Sequence, residues 1–169
     1  MFLLFEVQLL AWEGIVTHIG TFEDELIDLK KDLDQDQFDY HRDRNKEFTK
    51  VSTQHFEKTG RKNSHGVYVV RQRSTGEVLY IGRGGKINPD GQFKKQGILG
   101  RLNNVKGKIE GRDIPANEWF GNLSMEKGPL VIEYIILTSV PKSPALVEAV
   151  LLQAYLNEHG CLPYKNNEY

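Results

Sequence analysis

The 169-residue chain is 39% hydrophobic and 27% charged, a balance that suits one globular domain with an appendage, able to bury roughly 70% of its unfolded surface. Cys161 is the sole cysteine, which excludes an intramolecular disulfide and a thiolate metal cage and points to a reducing cytosol. The net charge of −1 averages two unlike parts: residues 1–64 hold nine Lys or Arg against thirteen Asp or Glu, and residues 65–169 hold thirteen against ten.

The chain starts with no basic segment and meets Glu6 early, and no run approaches the ~18 apolar residues of a membrane span, so neither a signal peptide nor a membrane helix is expected. Val7 to Ile19 is apolar but short and broken by Gly14, a pattern that fits strand or helix. Thr21 then caps a predicted helix in which Phe22, Leu26, Leu29 and Leu33 recur at helical spacing. Glu23, Asp24 and Glu25 fall in its positive first turn. Phe48, Val51 and Phe56 suggest a second short amphipathic piece. Thr59 to Ser64 reads as a linker, so residues 1–64 form a mainly helical N-terminal extension and residues 65–169 the principal domain.

Val67, Val69, Val78, Leu79 and Ile81 are strand formers on either side of the turn Ser74-Thr75-Gly76-Glu77, which predicts a hairpin. Past it, Gly82 to Gly91 is a glycine-rich loop that lets backbone approach another group. It satisfies neither phosphate-binding fingerprint: a P-loop needs glycine at Tyr80 and Ser or Thr at Ile87, and the dinucleotide motif needs glycine at Ile87. Between Arg83 and Arg112 eight basic residues stand against Asp90 and Glu110 alone, a surface attractive to a polyanion. Ile98, Leu99, Leu102, Val105 and Ile109 form the apolar stripe of a predicted helix. Leu130 to Leu137 is an aliphatic strand for the centre of a sheet, with Glu133 at an exposed or functional edge, and Ser143 caps a helix that begins at Pro144 and stops near Gly160. The resulting class is α+β: a small central antiparallel β-sheet, hairpin plus a third strand, flanked by helices.

The tripeptides Gly66-Val67-Tyr68 and Tyr80-Ile81-Gly82 lie on the two arms of the hairpin, so that two phenols can point at one site. This arrangement resembles the GIY-YIG nuclease family, with Val for Ile in the first tripeptide. The resemblance covers roughly residues 65 to 167, where a basic residue after the second tripeptide, a helical Arg, a later helical Glu and a terminal Asn are matched in order by Arg83, Arg101, Glu148 and Asn166 or Asn167. It implies a divalent-metal-dependent endonuclease acting on DNA. Glu148 would bind Mg²⁺ or Mn²⁺, Arg101 would pair with phosphate oxygens, Tyr68 would act as general base, Tyr80 would orient water or phosphate, and the asparagine would anchor the closing segment. A phenol titrates near pH 10, and a two-unit shift requires about 2.7 kcal/mol, which Arg83, Arg101 and the metal are expected to supply.

Two departures from the pattern bear on this. Gln153 offers a competing register that would put an amide where the metal-binding carboxylate belongs; five residues separate it from Glu148, about 140° around a helix, so only one of them can face the cleft. Val105 stands where many relatives carry Tyr or His. An inactive nucleic-acid-binding module of the same fold is therefore the alternative, and an acidic N-terminal part that occludes the basic surface a third. The histidines are scattered without metal spacing, although His65 abuts the first tripeptide, and Trp12 and Trp119 suit core or interface. The sequence leaves open monomer against homodimer.

Overall fold

In the computed structural model, which describes residues 19–44, 47–138 and 143–167, the first element is helix α1 (Phe22–Asp32). Its amide at Asp24 bonds to the Thr21 hydroxyl, and it buries Phe22 and Leu26. There follow strand β1 (Gln35–Tyr40), a 3-10 turn at Arg42–Arg44 and helix α2 (Phe48–Lys58). The hairpin comprises β2 (Gly66–Gln72) and β3 (Val78–Gly84), and is followed by the short helix α3 (Ile98–Asn103). Two-residue strands β4 (Lys108–Ile109) and β5 (Arg112–Asp113), helix α4 (Ala116–Lys127), strand β6 (Leu130–Ile136) and helix α5 (Pro144–His159) complete the order.

The main sheet is antiparallel and runs β1-β6-β2-β3. Strand alternation sends Tyr68, Val70, Ile132 and Tyr134 to a face covered by α2, α3 and α4, and Val67, Val69 and Ile135 to the face covered by α1 and α5. Burial of both faces is why β2 and β6 are mostly apolar rather than alternating, with Val67, Val69 and Val70 in one and Leu130, Ile132, Ile135 and Ile136 in the other. The α+β class, antiparallel sheet and flanking helices agree with the sequence expectation. No helix among the described residues is long and apolar enough to cross a membrane.

Three features differ from that expectation. The sheet has a fourth strand, since β1 pairs along β6 from Gln35 opposite Ile135 to Tyr40 opposite Leu130, so part of the first 64 residues belongs to the sheet. The helix expected to reach Ile109 ends at Asn103. Val105 and Ile109 are exposed, and Ile109 lies in a tight hairpin where Gly107, Glu110 and Gly111 take positive φ angles of 151°, 49° and 81°. Glycine chemistry overrides apolar period there. Helix α4 has no counterpart in the sequence reading. The apolar stretch from Val7, with Trp12, lies outside the described residues apart from Ile19.

Candidate active site

Strand β3 is the outer strand of the sheet, and its ladder sets Tyr68 opposite Gly82 and Val70 opposite Tyr80. Tyr68 and Tyr80 are therefore diagonal neighbours on one face, with ring centroids 5.9 Å apart and planes inclined by 38°. Gly82 makes room for both, because a Cβ there would lie 2.7 Å from the Tyr68 hydroxyl and 2.6 Å from Tyr80 Cε1. Beyond Tyr80 the register slips, with Val78 opposite Arg71, so Leu79 is an extra residue that turns toward the same core face.

Helix α3 is brought to this edge by close backbone approach. Gly84 lies against the backbone of Gly97 and Ile98, and the Ile98 amide donates to the Ser64 carbonyl at 2.8 Å. Arg101 follows on the exposed side of the helix. From the opposite face, α5 buries Val147, Leu151 and Ala154 and presents Glu148, whose Oε2 is 3.0 Å from Arg83 Nε. Gln153 instead donates to Asn157 Oδ1 at 2.7 Å on its own helix, so the carboxylate and not the amide faces the tyrosine edge. The C-terminal segment closes the site: Asn166 Oδ1 accepts the Ile81 amide and Asn166 Nδ2 donates to the Ile81 carbonyl, both at 2.9 Å. Asn167 is exposed and makes no such bond.

These segments enclose a cavity of about 480 Å³ lined by Tyr80, Arg83, Lys86, Arg101, Glu148 and Asn166 among others. Burial pushes the Glu148 carboxyl above its ordinary pKa, and Arg83 and Arg101 oppose that shift. Glu148 is the acid that could hold a cation here, and no cluster of three His, Cys, Asp or Glu side chains is present among the described residues. One carboxylate facing a cavity of this size fits a hydrated Mg²⁺ or Mn²⁺ whose other ligands are water and phosphate oxygen.

Tyr68 departs from its expected role. It is wholly buried and does not line the cavity. Burial first, and Tyr80 next, push its phenol well above the usual pKa, with Arg101 acting the other way. Without a metal, desolvation of the phenolate outweighs the one opposing guanidinium of Arg101, so Tyr68 lies above and not below the ordinary phenol range.

The sequence reading counted Lys106 only among the eight basic residues of the polyanion-attracting surface. Its Nζ donates to the Arg101 carbonyl at 2.7 Å and to the Tyr68 hydroxyl at 3.4 Å. Burial and Arg101 bring its pKa down to about 7. The one available signal was its place beside Val105, the departure from the family pattern; Val105 itself is 47% exposed. His65 does not enter the cavity. Its ring stacks on Phe93 at 4.5 Å and bonds to the Lys94 carbonyl at 2.7 Å, pinning the loop that carries Lys86 and Lys94. Glu133 is structural, paired with Lys30 at 3.1 Å and Arg71 at 3.4 Å. Trp119 packs edge-on against Tyr80, with centroids 5.5 Å apart. None of the described residues before position 65 lines the cavity.

Compared with family models, curated proteins and solved structures, the chain matches none.

Proposed function

We propose that this protein is a divalent-metal-dependent endonuclease that hydrolyses DNA phosphodiester bonds at the outer margin of β3. One observation carries the proposal: Tyr80, Arg83, Arg101, Glu148 and Asn166, from four separate segments, border one cavity. They are five of the residues that resemblance to GIY-YIG nucleases singles out; Tyr68, the base it implies, lies buried behind them. Hydrolysis asks for an activated water, a Lewis acid and compensation of charge on phosphorus.

A cation held at Glu148 supplies the Lewis acid. Arg101 is exposed and forms no ion pair among the described residues, leaving its guanidinium fork free for the non-bridging oxygens. Arg83 shares the Glu148 carboxylate and places a second positive charge at the cavity wall. The base is reassigned from Tyr68 to Tyr80, the phenol that reaches the cavity, and Tyr68 lies behind it. Asn166 holds the segment that closes the site and takes no part in proton transfer. Exposed Lys86 and Lys94 extend the positive surface along the loop, where a phosphate backbone gains attraction without base readout.

Supercoiled plasmid incubated with Mg²⁺ or Mn²⁺ tests this directly. Wild-type protein nicks or linearises it, and Glu148→Gln or Arg101→Ala slows cleavage by about 10²-fold or more. Equal cleavage by all three refutes the assignment. Salt-sensitive DNA binding without cleavage in either metal identifies the inactive binding module instead. The Arg83–Glu148 ion pair favours that second possibility, since an arginine already occupies the carboxylate.

A further inference from the structure

The loop after β3 folds into a small hairpin of its own. The Asn88 amide donates to the Gln92 carbonyl at 2.8 Å, Ile87 bridges Phe93, and the Lys94 amide donates to the Lys86 carbonyl at 2.7 Å. At the tip the Gly91 amide bonds to the Asn88 carbonyl at 2.9 Å and the Gln92 amide to Asp90 Oδ1 at 3.0 Å, with Gly91 at a φ of 80°. The base is fixed as well, because His65 stacks on Phe93 and bonds to the Lys94 carbonyl. This antiparallel register sets Lys86 directly opposite Lys94 on one face, and both side chains line the cavity. Like charges opposed in this way destabilise a ribbon. Neither lysine forms an ion pair among the described residues: Asp90 is turned to the tip amide, and Glu148, the acid in the cavity, pairs with Arg83 at 3.0 Å. A local rule broken on a well-anchored element, with nothing nearby to offset it, marks a functional position. An anion seated between the two ammoniums removes the repulsion.

We propose that Lys86 and Lys94 form a second phosphate subsite, which holds the phosphodiester next to the scissile one. The inference rests on the nuclease proposal above and narrows its substrate to a strand with at least two consecutive phosphates. In that proposal the scissile phosphate, with its single negative charge, is met by the cation at Glu148 and by Arg101, which leaves the lysine pair unengaged. The cavity of about 480 Å³ has room for more than one phosphate, since volumes of about 300–1,000 Å³ take whole small ligands. On a nucleic-acid strand the next anion is the adjoining phosphodiester, tethered one nucleotide away. Ammoniums act on it as point charges and read no base. Holding that neighbour fixes the line of the strand through the cavity, so the bond to be cut arrives already oriented. The hairpin does this without reordering, because His65 and the tip bonds hold it in shape.

The test uses the full chain and a thymidine trinucleotide, which carries two phosphates, beside its two versions in which one linkage is an uncharged methylphosphonate. Affinity is measured without metal, by amide chemical shifts. Wild-type protein loses about tenfold in affinity when either charge is removed. In the double variant Lys86→Ala/Lys94→Ala that loss shrinks to about twofold, the statistical cost of one phosphate fewer, because the two changes remove the same contact. Lys86→Arg/Lys94→Arg keeps the tenfold difference. Lys95→Ala, exposed and outside the cavity, behaves as wild type. Where the alanine variant fails to give the wild-type circular dichroism, Lys86→Gln/Lys94→Gln takes its place. With Mg²⁺ on a longer strand, a methylphosphonate beside the cleaved linkage slows wild-type cleavage about tenfold and slows the double variant no further. Equal losses in wild type and double variant, or no loss in wild type, overturn the inference. If wild-type protein never cleaves DNA the nuclease proposal fails, and the affinities still decide whether the lysine pair holds a phosphate.

Discussion

Gly82→Ala adds one methyl group at the point where the two phenols meet. The new Cβ would lie 2.7 Å from Cζ and Oη of Tyr68 and 2.6 Å from Cε1 of Tyr80, whereas non-bonded carbons rest about 3.5–4.0 Å apart, so each ring must retreat by about 1 Å. Neither yields cheaply, since Tyr68 is wholly buried and Tyr80 is backed by Trp119. Gly82 has no positive φ, so the backbone itself accepts alanine and the whole effect is crowding. Overpacking of this kind costs about 1–3 kcal/mol, and 2 kcal/mol in a domain of this size lowers the melting temperature by about 4–8 °C. A displacement of about 1 Å at a reacting group costs about 10²-fold in turnover. Gly76→Ala is the comparator: its φ is 76° and a Cβ there meets nothing within 4 Å, so it loses about 1–2 kcal/mol by backbone strain alone and keeps its cleavage. Thermal unfolding and plasmid cleavage are measured on both. A Gly82→Ala protein that melts like wild type, or melts lower and still cleaves at the wild-type rate, refutes the packing account of the site.

Glu148→Gln separates stability from activity. Burial raises the native pKa of Glu148 above its unfolded value, so the stability it contributes is complete below the unfolded pKa and is lost as pH rises through the native one. The melting temperature of the Gln variant relative to wild type is therefore higher at pH 7 than at pH 4, while cleavage is lost; a difference that does not change with pH contradicts the burial. Asn166→Ala removes two bonds to the Ile81 backbone and costs about 1–3 kcal/mol, with faster amide exchange at Ile81; Asn167→Ala does neither. Lys86→Ala and Lys94→Ala each reduce the slope of log affinity for DNA against log salt by about one and weaken binding equally on all sequences. A slope that stays fixed removes those lysines from the interface.

The hairpin was legible because strand parity is arithmetic: Tyr68 and Tyr80 share a face in any register that pairs Tyr68 with Gly82. Glu148 was legible because aliphatics at 147, 151 and 154 define the buried side of α5, which leaves 148 beside it and 153 turned away. Strand β1 was hidden because it is a short edge strand, polar except for Phe38 and Tyr40. Helix α4 was hidden because Gly121 interrupts it, tolerated where the Arg42 side chain lies 3.1 Å from the would-be Cβ. The overshoot to Ile109 came from trusting a 3.6-residue period through Gly107 and Gly111, which set a hairpin instead. The sign of the Tyr68 shift depends on its complete burial in the packed core, which no local pattern encodes.

The C-terminal staple has a consequence for solubility. Outer strands expose amides and carbonyls that can template pairing with another chain. Here Lys165 donates to the Leu79 carbonyl at 2.8 Å and Asn166 satisfies both backbone groups of Ile81, so this rim of the sheet is clothed by the chain's own last turn. Losing those two residues would bare a Val-Leu-Tyr-Ile strand with its ladder unfilled, and the first symptom would be self-association into oligomers, ahead of any change in the melting of the core.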